Sequence, residues 1–126
     1  MSSVFDMDAA RKFQRNKLKR QQEALDERFK RATCDFDAIC QMIIREFQPK
    51  AIYQWGSLLD REKFSGISDI DIAVEGITDA QDYFTLLRRA DEMTEFPIDI
   101  VQLEKIHPLH SDMIIKKEFK FTENEQ

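Results

Sequence analysis

From Asp8 to Phe47 the chain carries no glycine or proline, and its apolar positions recur at helical spacing. Leu25, Phe29, Ala32, Phe36, Ile39, Ile43 and Phe47 step by four, three, four, three, four and four residues. That is the near-heptad stripe of one helix face. The part from Phe36 to Phe47 is expected to pack on a sheet. Gln48-Pro49 ends the helix, because a residue before proline is pushed out of the α region. The stripe continues back through Leu18, where a small domain offers little to bury it. Three readings of this protruding part stand level: a dimerisation helix, a partner-docking helix and a mobile arm.

Beyond Pro49 the pattern shortens. Ala51 to Trp55 reads as a short apolar strand, broken by Gly56-Ser57, with a helical turn over Leu58 to Lys63. A second strand spans Asp69 to Val74 and closes at Glu75-Gly76. Thr78 with Gln81 resembles a capping box, opening a helix that runs to about Met93 with Leu86, Leu87, Ala90 and Met93 on its apolar side. Ile98 to Leu103 is a third strand. Pro108 opens a last helix at the position where its missing N–H costs nothing, docked by Met113, Ile114 and Ile115, and the tail after Phe121 is polar. These elements predict an α+β fold: a small mixed β-sheet with helices packed on one face, preceded by a long N-terminal helix. Residues 1–33 form the helical extension, 34–121 the domain and 122–126 a tail.

At 126 residues the chain suits one domain with a modest core. It has no apolar run of membrane-spanning length and no charged-then-apolar leader, which predicts a soluble cytoplasmic protein with no membrane partner. Cys34 and Cys40 would point apart on a helix and match neither a disulfide framework nor paired zinc-ligand spacing. His107 and His110 lie three apart at a helix start without a third ligand, and a surface pair outweighs a metal site. The net charge of −5 is unevenly spread. Arg11 to Arg31 holds nine basic and three acidic residues, a formal +6. Such an arm suits a solvated face, a protein partner or nucleic acid, although it lacks the aromatic ladder of single-strand binders.

The candidate chemistry is acidic. Asp69 and Asp71 sit in Ser68-Asp-Ile-Asp-Ile-Ala-Val74, and Asp99 sits in Phe96-Pro-Ile-Asp-Ile-Val101. Aspartate is depleted in strands, so three of them flanked by isoleucine and valine call for a reason. Alternate strand residues share a face, so the carboxylates point one way and the isoleucines the other. If the two runs pair, all three carboxylates meet. Like charges at that range need a cation between them, which predicts a divalent-metal site. Gly56-Ser57 supplies the complementary part, a turn that presents backbone N–H groups and a hydroxyl to an anion.

Gly56-Ser57, eleven intervening residues and Asp69-Ile70-Asp71, followed by a later strand Ile98-Asp99-Ile100-Val101, resemble the signature of the DNA polymerase beta-like nucleotidyltransferase superfamily. The run Ser68 to Gly76 is especially similar to its small prokaryotic members, the minimal nucleotidyltransferases (MNT). The resemblance covers roughly Ala51 to Leu103. It implies transfer of a nucleoside monophosphate, usually AMP from ATP, to a hydroxyl with release of pyrophosphate. Carried over, Asp69 and Asp71 hold two Mg2+ ions that grip the triphosphate. Asp99 completes the metal site nearest the acceptor and helps remove its proton. Gly56 and Ser57 bind the β and γ phosphates, and Arg61 (or Lys63 beside it) reaches the triphosphate. The family's Arg-x-Arg-Gly-like stretch is replaced here by Leu58-Leu-Asp-Arg-Glu-Lys63. The resemblance also implies a protein partner that holds the acceptor hydroxyl, a HEPN-type toxin in a toxin–antitoxin pair for which this chain is the antitoxin. The alternative is a catalytically weak module that masks a partner through its N-terminal helix. A homodimer through that helix remains open.

Overall fold

A computed structural model of the protein describes the backbone of residues 3–117 and 119–123 and the surroundings of side chains 7–115. One helix, α1 (Ser3–Phe47), is followed by β1 (Ala51–Trp55), β2 (Ile70–Glu75), α2 (Ala80–Asp91), β3 (Ile98–Gln102), α3 (Pro108–Lys117) and β4 (Phe119–Glu123). Short 3-10 turns occupy Ser57–Leu59 and Leu103–Lys105. The strands form one mixed sheet in the order β3-β2-β1-β4. β1 runs antiparallel to β2 and β4, whereas β2 and β3 are parallel and joined by α2. A parallel pair requires such a crossover, and the helical crossover covers one face of the sheet.

The periodicity of α1 translates directly into burial. Ala32, Phe36, Ile39, Cys40, Met42 and Ile43 are buried against Ile52, Ile70, Ile72, Val74 and Ile100 of the sheet and Leu86 and Ala90 of α2. With no glycine or proline to interrupt it, the 45-residue helix is about 67 Å long. It stops where Gln48 turns to a left-handed φ of 50°, its N–H donating to the Ile43 carbonyl at 3.2 Å, with buried Pro49 next. Residues 7–24 are exposed all round, so the expected lack of burial upstream of Leu25 is observed.

The predicted fold class holds, with a smaller second cover. Ala51, Tyr53, Ala73, Leu103 and Ile114 form a cluster on the face opposite α1, with Trp55, Val101 and Ile106 packed against it. Of the three residues expected to dock α3 only Ile114 is buried; Met113 and Ile115 are 51% and 41% exposed. The cap of α2 also differs from the expected Thr78–Gln81 box. Asp79 is the N-cap, its carboxylate accepting the Asp82 N–H at 3.0 Å, a one-residue shift that preserves the capping chemistry. α2 ends at Asp91, leaving Met93 exposed. The largest departure is β4. Its backbone pairs with β1 through residue 123, where a polar tail was expected after Phe121, and residues 124–126 lie outside those described.

His107 caps α3: its Nδ1 accepts the Leu109 N–H at 3.1 Å. Cys40 is buried and Cys34 exposed, and both are free thiols. Among the described residues no helix is long and apolar enough to cross a membrane.

Candidate active site

Register across the sheet decides where the acidic residues fall. In the parallel pair Ile70 faces Ile98, Asp71 faces Asp99 and Ile72 faces Ile100. In the antiparallel pair Trp55 faces Asp71. Directly paired residues share a face, so Trp55, Asp71 and Asp99 form one row across three strands. The isoleucines project from the other side, with Ile70 and Ile72 fully buried and Ile100 at 2% exposure. This burial fixes the register, since a one-residue slip would drive the carboxylates into the core. The row lies on the face that α3 covers only in part, and there Asp71 is half-buried and Asp99 exposed.

Asp69 precedes β2 instead of opening it. It is half-buried at the end of a loop held by the largely buried Ser68, whose Oγ accepts the Ser65 N–H at 2.9 Å. The Ile70 N–H then donates to the Pro97 carbonyl at 2.9 Å, tying the strand's first residue to the entry of β3.

Gly56 ends the outward course of β1 with φ 84° and ψ −165°, a region essentially closed to residues with a side chain. The reason for glycine is visible beside it. A Cβ at this position would stand 2.0 Å from Asp71 Oδ2 and 2.8 Å from its Cγ. The G-S turn and the carboxylate row are therefore packed flush, a contact that sequence alone does not reveal. The turn continues as a 3-10 element, with the Leu59 N–H donating to the Gly56 carbonyl at 3.3 Å.

Arg61 faces elsewhere. Its Nε donates to Asp26 Oδ1 at 2.6 Å and its Nη2 to the Gln22 carbonyl at 3.4 Å, both on α1. Two further residues adjoin the row without having been expected. Tyr83 of α2 donates its hydroxyl to the Ile100 carbonyl at 2.7 Å, pinning the outer strand one residue after Asp99. Burial, and then the charge of Asp99, push its phenol above its ordinary value. Trp55 has an indole N–H that is buried with no partner among the described residues. No sequence signal marks Tyr83, because its role depends on where α2 lands. Trp55 could have been placed in the row by extending the alternation across the G-S break.

The donor set suits a hard cation. Carboxylate oxygens are what Mg2+ prefers, and two aspartates paired directly across strands repel unless a positive charge offsets them. Among the described residues no three His, Cys, Asp or Glu side chains, as they stand, form a metal-holding group. The strand register supplies the Asp71–Asp99 pair, and Asp69 follows from the adjoining loop.

Residues 37–126 match the family described as Polymerase beta, Nucleotidyltransferase. The chain belongs to that nucleotidyltransferase family. Among solved structures it is similar to a chain of the toxin–antitoxin MntA–HepT, at 17% identity and a TM-score of 0.56, covering 73% of each chain. It is likewise similar to a chain from a mutant of that complex with two aspartate-to-glutamate changes, at 20% identity and a TM-score of 0.57, covering 72% of this chain and 75% of the other. At these identities the likeness is one of fold. No curated protein matches the sequence.

A cleft of about 480 Å3 lies apart from the row, between α1 and the loop entering β3, with Lys30, Arg31, Cys34, Asp35 and Phe96 among its walls. Arg28 stacks over the Phe96 ring at 4.5 Å beside it. Both charge signs line this cleft, and no acidic pair of β2 and β3 opens into it.

Proposed function

We propose that this protein transfers a nucleoside monophosphate, AMP from ATP, to a hydroxyl presented by a partner protein. The observation that carries the reading is the row itself: Asp71 paired with Asp99 across parallel strands, with Gly56 flush against Asp71. Asp69, Asp71 and Asp99 are the residues that would hold Mg2+. When bound, the metal neutralises the charge that develops on the triphosphate and on the attacking and leaving oxygens.

The chain's own residues supply the remainder. The Gly56-Ser57 turn offers backbone N–H groups and a hydroxyl to the β and γ phosphates, and absence of a side chain at Gly56 allows close approach. Asp99, exposed at the outer strand, is placed to accept the proton of an incoming hydroxyl. Tyr83 holds the backbone of that strand in place. Arg61 would reach the triphosphate only by leaving Asp26.

Family membership and the likeness to chains of toxin–antitoxin complexes support a further part of the proposal. The acceptor is a residue of a HEPN-type toxin, this chain is the antitoxin, and residues 34–121 form the transferase unit with 1–33 as its extension. The test is to incubate the protein with such a partner, magnesium and ATP labelled at the α phosphate. Label is expected on the partner and is expected to be lost with Asp71→Asn. Absence of label, or equal labelling by the variant, refutes the reading.

A further inference from the structure

The exposed half of α1 is a helix that buries no face against the domain. Helices gain most of their stability from burying a face, yet every residue from 7 to 24 is exposed. The contact furthest toward the N terminus that ties α1 to the domain through Arg61 reaches Gln22. Upstream, residues 9–22 contain six cations (Arg11, Lys12, Arg15, Lys17, Lys19 and Arg20) and no acid. Arg11 with Arg15 and Arg15 with Lys19 are i,i+4 pairs of like sign, which weaken a helix. This segment also precedes residues 37–126, the part that matches the family, so nucleotide chemistry does not account for it.

An apolar line passes through this basic stretch at Leu18. Met7, Leu18 and Leu25 are spaced by eleven and seven residues, whole numbers of helical turns, and continue the line that is buried downstream at Ala32 and Phe36. Leu18 is 60% exposed and Met7 53%. A phosphate backbone gains nothing from such a line, whereas a protein helix packs on it. A second α1 would bring its own cations against these, adding repulsion.

We infer that residues 7–25 of α1 form a docking surface for an acidic amphipathic helix of a partner protein, which buries Leu18 and neutralises Arg11 and Arg15. The inference deepens the partner-protein part of the proposed function and does not depend on nucleotide transfer.

The test uses the full chain and a fluorescein-labelled peptide of three heptads with Leu at a and d and Glu at e and g. Fluorescence anisotropy is expected to show binding that weakens at least tenfold with Arg15→Glu and about fivefold with Leu18→Ala, and that falls steeply with salt. Arg15→Glu turns two repulsive pairs into attractive ones, so circular dichroism should show helix content held or raised while binding drops. Asp71→Asn should bind the peptide like the unaltered protein, which separates this surface from transfer. Three results would overturn the inference. One is no binding of the peptide at millimolar concentration. Another is tighter binding of a 20-base-pair RNA duplex with Leu18→Ala unaffected, which indicates a nucleic-acid arm. The third is a dimer in sedimentation that Arg15→Glu dissociates, which indicates a second copy as the occupant.

Discussion

Replacing Gly56 by alanine tests the packing of the G-S turn on the carboxylate row. The backbone there sits at φ 84° and ψ −165°, and holding a residue with a side chain in that region costs about 1–3 kcal/mol. The new Cβ would also stand 2.0 Å from Asp71 Oδ2, so the carboxylate must swing off its rotamer for about a further 1 kcal/mol. Together Gly56→Ala should destabilise the fold by roughly 2–4 kcal/mol, a fall in Tm of about 10–20 °C for a domain of this size. Urea denaturation measures the first figure and calorimetry the second. Gly66→Ala is the control, because a Cβ there meets nothing within 4 Å, and its stability should hold or rise slightly. A double-mutant cycle isolates the clash. Asp71→Ala removes the two nearest obstructing atoms while the φ strain stays, so Gly56→Ala should cost about 1 kcal/mol less in that background. Strict additivity of the two substitutions, or a Gly56→Ala variant as stable as the parent, would refute the packing argument.

Other expectations follow from the same contacts. Asp99→Asn should lower transfer of labelled AMP by roughly 100-fold or more with little change in Tm, since the side chain is exposed and its charge serves the reaction. Arg61→Ala should cost no more than about 1 kcal/mol in urea titration, because the Asp26 pair is partly solvated, with the two side chains 27% and 52% exposed. Tyr83→Phe should cost about 1 kcal/mol by the same measurement, as the Ile100 carbonyl loses its hydroxyl donor. Burial, and then Asp37, raise the Cys40 thiol above its ordinary 9.0, so the folded state keeps this proton longer than the unfolded chain. Its stabilising contribution is full below that pH and fades as pH rises past it, by up to about 1.4 kcal/mol per pH unit. Cys40→Ala should flatten the loss of stability measured between pH 9 and 10.

The sequence made the helix and strand pattern legible wherever burial imposed a period. β1 falls on the predicted residues, and the alternation of Ile70, Asp71 and Ile72 against Ile98, Asp99 and Ile100 anticipated the paired register. Boundaries drifted where two residues compete for one job. Thr78 and Asp79 can both cap, and the cap lies at Asp79, whose carboxylate the Asp82 N–H reaches. β4 stayed hidden because its only apolar residues are Phe119 and Phe121 among charged neighbours, and its pairing depends on the open edge of β1 being nearby. Tertiary neighbours were least legible: Arg61 meeting Asp26, and Tyr83 meeting Ile100, join residues thirty-five and seventeen positions apart. Gly56 was read as permitting approach to a phosphate, whereas the structure adds a resident neighbour in Asp71.

The unbroken course of α1 carries a geometric consequence. The same rod that is wedged by Ile39 and Ile43 against the sheet carries Leu18 at its far part, roughly 31 Å away at 1.5 Å per residue. Cargo gripped out there is held at a set span and bearing from the acidic strands, as though by a ruler. One residue inserted near position 27 would turn the grip by about 100° and lengthen the reach by only 1.5 Å, whereas seven would nearly restore its bearing while lengthening the reach by about 10 Å. Angle and distance can thus be altered separately, and whichever of them the partner's hydroxyl requires would be read from which insertion abolishes labelling.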